Sequence, residues 1–173
     1  MTAMPARTDL EHKAAAPSAV KCYVITVSDT RTEATDTGGR AIVDMLSAAG
    51  HEIAGRAIVR DDAEMIRDAV SRQLANPAVQ VVITTGGTGI SSRDTTCEAL
   101  QSMIQKRLDG FGELFRMLSY QEIGSAAMLS RASAGVISGR VVVSLPGSEA
   151  AVRLALEKLL VPELGHLVRE VSR

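Results

Sequence analysis

The stretch Thr84-Thr85-Gly86-Gly87-Thr88-Gly89 lies between an apolar run, Val79-Gln80-Val81-Val82-Ile83, and a segment with helical spacing from about Thr95. β-Branched residues bounded by glycine specify a buried strand. Three glycines in four positions let the backbone turn tightly and approach a ligand without a Cβ in the way. Amide N–H groups at such a strand-to-helix turn can face an anion, and a helix N-terminus favours negative charge. The stretch therefore predicts a phosphate-bearing ligand at the carboxyl end of a parallel strand. The plainer alternative is a glycine-rich turn that only redirects the chain.

Two nucleotide-binding motifs are excluded. A dinucleotide fingerprint needs a further glycine three residues on, and Gly89 is followed by Ile90-Ser91-Ser92. A P-loop needs Gly-Lys-Ser/Thr, and no lysine is near. Arg93-Asp94 sharpens the reading. A carboxylate beside a phosphate is repulsive unless a cation sits between them, and Mg²⁺ bridging an aspartate and phosphate oxygens is the usual solution.

The strand–helix alternation also runs upstream of the turn. Residues 20–27 are β-rich and end at Ser28-Asp29-Thr30. A polar loop, 31–36, is expected to be mobile. Gly38-Gly39 leads into a helix over 40–49, with Ile42, Val43, Leu46 and Ala49 on one face and Gly50 as its stop. Residues 51–59 alternate as a strand, and Asp61-Asp62 precedes a helix over 63–74 that ends at Asn76-Pro77. The order β-α-β-α-β-loop-α predicts an α/β fold, a parallel sheet with helices on both faces. Right-handed crossovers place Ser28-Asp29, Asp61-Asp62 and residues 86–94 on one rim. Asp61 or Asp62 also suffices as a helix cap, and Asp29 as a turn-former.

The second half is less regular. The spacing predicts a helix over 95–108, a break at Asp109-Gly110-Phe111-Gly112, and a helix over 113–123 ended by Gly124. Ser138-Gly139 between apolar runs predicts a hairpin. The strand 141–145 ends in Pro146-Gly147-Ser148, a second anion-friendly turn in which Ser148 also suits a plain N-cap. A helix over 149–160 follows, and Pro162 opens a last short one.

At 173 residues the chain is the size of one domain with a sizeable core. The net charge is −1, there is no Trp, and Tyr and Phe number two each, which argues against a cationic, ring-stacking nucleic-acid surface. Cys22 and Cys97 are too far apart in sequence for a disulfide framework or a zinc site, and a reducing, cytoplasmic compartment fits. No apolar stretch reaches the length of a membrane span. Residues 1–19 read as a disordered N-terminal tail, with an oligomer arm as the alternative, and residues 20–173 as the domain.

Several of these stretches together resemble a known family. Val81 to Gly89 with Arg93-Asp94, Thr96 and Glu98-Ala99 resembles the signature of the molybdopterin-binding domain family, which takes in MoaB, MogA, the gephyrin G domain and a domain of MoeA. Gly110-Phe111-Gly112-Glu113, Arg116 and Met117 to Gly124 are similar to the MoaB branch, molybdenum cofactor biosynthesis protein B. Leu129-Ser130-Arg131 and Leu145-Pro146-Gly147-Ser148 match later family motifs. Cys97 stands where many members have proline.

The resemblance implies a three-layer α/β/α sandwich with a mostly parallel sheet, assembled as a homotrimer or homohexamer. It implies adenylyl transfer from Mg-ATP to the terminal phosphate of molybdopterin, with Mg²⁺ as cofactor and other molybdenum cofactor enzymes as partners. Catalytic, metal-holding aspartates map to Asp61 and Asp94. Substrate contacts map to Ser28, Asp29, Thr85, Gly86, Gly87, Thr88, Gly89, Arg93, Glu113, Ser130, Arg131, Pro146, Gly147 and Ser148. The residue types suit that chemistry. A phosphate nucleophile is already ionised near neutral pH, so no catalytic histidine is needed, and His12, His51 and His166 all read as lying off the rim. Two other classes remain open: a molybdopterin carrier without catalysis, since a fold does not guarantee a reaction, and a dinucleotide pyrophosphatase like the related competence-damage proteins.

Overall fold

The computed structural model describes residues 16–173. Of the stretch read as a tail, 1–15, with His12, lies outside the described residues. At 16–18 the chain runs along the C-terminal helix, with the Pro17 carbonyl against Gly165.

Six strands form one sheet: β1 (Lys21–Val27), β2 (Glu52–Val59), β3 (Val81–Thr85), β4 (Lys106–Arg107), β5 (Ser133–Ile137) and β6 (Arg140–Leu145), in the order β2-β1-β3-β6-β5-β4. The first four in that order are mutually parallel. β5 runs antiparallel to β6 across the expected hairpin, and β4 pairs antiparallel to β5 at the edge.

Strand alternation explains the layers. Val24, Val81, Ile83, Val141 and Val143 face one way, where they meet α1 (Thr37–Ala48), α4 (Asp109–Ile123), α5 (Glu149–Ala155) and α6 (Val161–Val171) through residues such as Ile42, Phe115, Val152 and Leu164. Ile25, Val27, Val82 and Val142 face the other way, onto α2 (Ala63–Leu74) and α3 (Thr96–Gln101) through Ile66, Val70 and Leu100. Both faces are covered, as a parallel sheet requires. Cys22 packs in the first of these layers, where burial pushes its thiol up to about 12.

Four local expectations need correction. The helix expected over 95–108 stops at Gln101. Beyond it the Gln105 amide donates to the Val136 carbonyl and the Leu108 amide to the Ala134 carbonyl, both at 2.9 Å, so pairing at the sheet edge outweighs helical spacing. Asp109 to Gly112 is not a break but the first turn of α4, entered from Leu108. The loop at 31–36 is bound to itself rather than loose: Arg31 Nη1 donates to the Thr35 carbonyl at 2.7 Å and the Asp36 amide to the Thr32 carbonyl at 2.9 Å. Asp36, 2% exposed, accepts from Thr26 Oγ1 and caps α1 through the Gly39 amide, so the helix starts at Thr37. Lastly, the two helices expected at the C-terminus are one run. It widens into a π turn at Leu156–Leu160 because Pro162 brings no amide to bond backwards.

His51 stands just before β2, at the end of the sheet away from the strand termini discussed below. Its Nδ1 accepts the Val20 amide at 3.2 Å, which requires the unprotonated nitrogen. Burial lowers its pKa from the ordinary 6.5. The unfolded chain therefore takes up this proton first as pH falls. The His51 contribution is complete above about pH 6.5 and is lost as pH drops through the folded value. Urea unfolding at pH 7.5 and 5.5 checks this: wild type loses more stability between the two than His51→Gln, whose amide oxygen keeps an acceptor. Equal losses refute it.

Candidate functional site

The four parallel strands end on one rim. After β1 come Ser28 and Asp29; after β2, Asp61; after β3, the glycine turn; after β6, Pro146-Gly147-Ser148. They are tied together. The Ser28 amide donates to the Val59 carbonyl at 2.8 Å, the Asp61 amide to Asp29 Oδ1 at 3.2 Å, the Gly86 amide to the Leu145 carbonyl at 3.0 Å, and Thr85 Oγ1 to the Pro146 carbonyl at 2.9 Å.

Gly86 and Gly87 have φ of +97° and +63°, which side chains rarely adopt. Space forbids a side chain as well. A Cβ on Gly86 would overlap the Val27 carbonyl, and one on Gly87 would stand 2.8 Å from Asp61 Oδ2. The Thr96 amide and hydroxyl hold the carbonyls of Gly87 and Gly86, each at 3.0 Å. The amides of Gly87 and Thr88 donate to no protein acceptor among the described residues.

The adjacent aspartates divide two tasks. Asp62 Oδ1 accepts the amides of Glu64 and Met65 at 3.0 Å and caps α2. Asp61 instead turns inward. Its Oδ1 accepts the Thr95 amide at 3.0 Å and hydroxyl at 2.8 Å, and its Oδ2 lies beside Gly87. On the other side of the turn, Asp94 Oδ2 accepts the Ser91 hydroxyl at 2.6 Å and amide at 2.9 Å, and lies 2.7 Å from where a Cβ on Gly89 would stand. The Ser91 hydroxyl is the main reason the Asp94 carboxyl sits below its ordinary range. The Ser91 and Gly89 amides and the Arg131 charge add to this, and burial opposes it. Asp94 is an anion throughout the neutral range. Two carboxylates thus lie beside one turn with unpartnered amides. Among the described residues no group of three or more His, Cys, Asp or Glu is arranged for a metal. A divalent ion on this pair would need ligand oxygens to complete its shell, the usual arrangement for Mg²⁺ with phosphates.

A family model described as a probable molybdopterin binding domain matches residues 23–166. The chain belongs to the molybdopterin-binding domain family. A relative from Bacillus cereus named molybdenum cofactor biosynthesis protein B is 52% identical over 164 residues, covering 94% of this chain and 97% of the relative. A crystal structure of a molybdenum cofactor biosynthesis protein B superposes with a TM-score of 0.87 at 52% identity, covering 90% of this chain and 98% of that one. The tungsten cofactor synthesizing protein MoaB from Pyrococcus furiosus superposes with a TM-score of 0.83 at 40% identity, covering 91% and 100%. The MoaB branch is thereby established along with the three-layer fold.

Two openings adjoin the molybdopterin-domain turn. A cleft of about 180 Å³ is lined by Ser28, Arg31, Asp36, Thr85, Gly86 and Gly147. A larger groove of about 400 Å³ includes Cys97, Arg107, Arg116, Met128, Ser130 and Arg131. Arg131 reaches from the groove to the turn, where Nε donates to the Thr88 carbonyl at 3.1 Å and Nη2 to the Gly89 carbonyl. Burial raises the Cys97 pKa, which leaves a neutral thiol rather than a nucleophile.

Other expected contacts have different places. Ser148 Oγ accepts the Ala151 amide at 3.3 Å, so the plain N-cap role is filled. Glu113 lies on the exposed side of α4 and lines neither opening. Arg93 is exposed, and its guanidinium makes no ion pair among the described residues. Thr96, Glu98 and Arg116 entered the sequence reading only as motif residues, without a role at the site, and Thr95 and Asp36 were not singled out at all. A threonine directly before a short helix was the available signal for Thr95.

The division between the two aspartates is testable. Asp62→Ala removes only a cap and costs about 1 kcal/mol in urea unfolding. If the turn takes the Mg²⁺-bridged phosphate that the sequence predicts, Asp62→Ala leaves Mg-AMP affinity, read by calorimetry, unchanged, whereas Asp61→Ala lowers it.

Proposed function

We propose that this protein acts in molybdenum cofactor biosynthesis by binding molybdopterin and transferring AMP to it from Mg-ATP. The observation that carries this reading is the placing of Asp61 beside Gly87 and Asp94 beside Gly89, in a turn whose Gly87 and Thr88 amides have no protein acceptor among the described residues. Relatives at about half identity bear the name molybdenum cofactor biosynthesis protein B.

A terminal phosphate oxygen of the pterin attacks the α-phosphorus of ATP. The bond from that phosphorus to the oxygen bridging toward the β-phosphate breaks, and pyrophosphate leaves. Both partners are anions, so the barrier is largely a matter of bringing charges together. The amides of Gly87 and Thr88 supply donors fixed in advance for the charge on the transferred phosphoryl group. Asp61 and Asp94 would hold Mg²⁺, which would supply neutralisation and orientation of the phosphate oxygens. Ser28, Thr85 and Gly147 line the smaller cleft beside the turn, which suits the nucleotide end. The larger groove suits the pterin, with the half-buried Arg116 facing it and making one long hydrogen bond, 3.4 Å, to the Ala132 carbonyl. The phosphate nucleophile needs no general base, in keeping with His51 lying at the far end of the sheet.

The test is purified protein with Mg-ATP and molybdopterin, monitored for adenylylated pterin and pyrophosphate. Asp94→Asn lowers turnover by about 100-fold or more, the scale of a lost transition-state contact, while pterin affinity stays within about two-fold. Tight pterin binding with no turnover by wild type establishes the carrier instead.

The same reading includes a homo-oligomer. Leu114, Met117, Tyr120, Ile123, Met128 and Leu129, on α4 and the 3₁₀ turn Gly124–Leu129 after it, are all 48% exposed or more, a broader apolar face than a monomer keeps in water. Light scattering at micromolar concentration gives three or six times the 18.3 kDa chain mass. A monomer mass refutes the assembly. Among the described residues no helix is long and apolar enough to cross a membrane.

A further inference from the structure

Four successive carbonyls of the turn are held by two residues. Thr96 takes those of Gly86 and Gly87, and the Arg131 guanidinium takes those of Thr88 and Gly89. All peptides here are trans, so each C=O points away from the N–H that follows it. Holding the carbonyls of residues 86–89 therefore also fixes the direction of the amides of residues 87–90, among them the Gly89 amide that bonds Asp94. Thr96 secures the first half of the turn from within its own helix. The second half depends on a side chain 43 residues further along the chain.

That side chain is in turn fixed by Glu98. Oε1 of Glu98 accepts Nη1 of Arg131, and Oε2 accepts Nη2 at 3.4 Å. One forked guanidinium thus spans a carboxylate and two carbonyls, a geometry that a lysine ammonium does not reproduce. The side chains are 31% and 59% exposed, and an ion pair so exposed adds little to stability. Its position behind the turn is better explained by geometry.

We propose that Glu98 and Arg131 form a positioning clamp that sets the direction of the turn amides and the seat of Asp94, with Glu98 acting only through Arg131. This rests on the adenylyltransferase reading. It makes Arg131 a holder of the turn, and Glu98 a residue that never touches the reacting atoms.

The test is a double-mutant cycle with a stability control. Glu98→Gln keeps the shape and removes the charge; Arg131→Lys keeps the charge and removes the fork. Each lowers kcat about ten-fold and raises KM for ATP by a similar factor, with KM for molybdopterin within about two-fold, and the double variant is no worse than Arg131→Lys, because both changes disable one unit. The melting temperature stays within about 2 °C of wild type, as expected for so exposed a pair. Glu122→Gln, at the outer end of α4, is the unaffected control. Wild-type kcat in Glu98→Gln, additive losses in the double variant, or losses that follow a falling melting temperature overturn the clamp. If wild type itself makes no adenylylated pterin, the adenylyltransferase reading fails and the clamp is judged by calorimetry with Mg-AMP. There Glu98→Gln weakens affinity about ten-fold. Unchanged affinity, or no AMP binding in wild type, overturns it.

Discussion

The carbonyl of Val27, at the end of β1, fills the space where Gly86 would carry a side chain. That contact arises because β1 and β3 are hydrogen-bonded neighbours in parallel register, Thr26 opposite Thr85. A backbone leaving β3 can pass only as glycine in a left-handed conformation, and the amides of Gly87 and Thr88 are left without a protein acceptor among the described residues. The parallel sheet thus creates the tight place, and the tight place creates the glycine turn. β6 closes it from the other flank, with the Leu145 carbonyl accepting the Gly86 amide and Gly147 lying 3.3 Å from Gly86 when measured from an added Cβ.

Around this turn each polar side chain either secures backbone or remains available to a ligand. Thr96, Thr85, Asp36, Asp62 and Ser148 secure backbone. Asp61 and Asp94 do both. Each has one oxygen engaged by donors from the segment that follows the turn, so each is held in place while still presenting charge. Carboxylates fixed in this way would need little reorganisation to take a cation with phosphates, as the proposed reaction between two anions requires.

The core explains why the rim stays in register. Residues of β1, β3 and β6 alternate between two helical layers, and burying each Val, Leu or Ile side chain stabilises by roughly 1.5–3 kcal/mol. A one-residue slip of β3 would send Val82 into the layer of Val81 and Ile83, and would displace the glycine turn with it.

The amino-acid sequence alone determined the alternation of strands and helices, the glycine turn after β3, the rim shared by Asp29, Asp61 and Asp94, and the family motifs. These are local signals. Periodicity, glycine and capping residues act within a few positions, and the right-handed crossover converts their order into a common edge. Tertiary structure decided what local signals cannot. Asp61 and Asp62 are chemically identical neighbours, and only the arrival of Thr95 from 34 residues away distinguishes the inward one from the cap. Lys106 and Arg107 lie in a stretch with helical spacing, yet edge pairing with β5 makes them strand. Arg131 reads as a substrate contact in sequence, whereas its hydrogen bonds go to the turn and to Glu98. In each case the deciding partner lies far along the chain, and packing alone brings it within hydrogen-bonding reach.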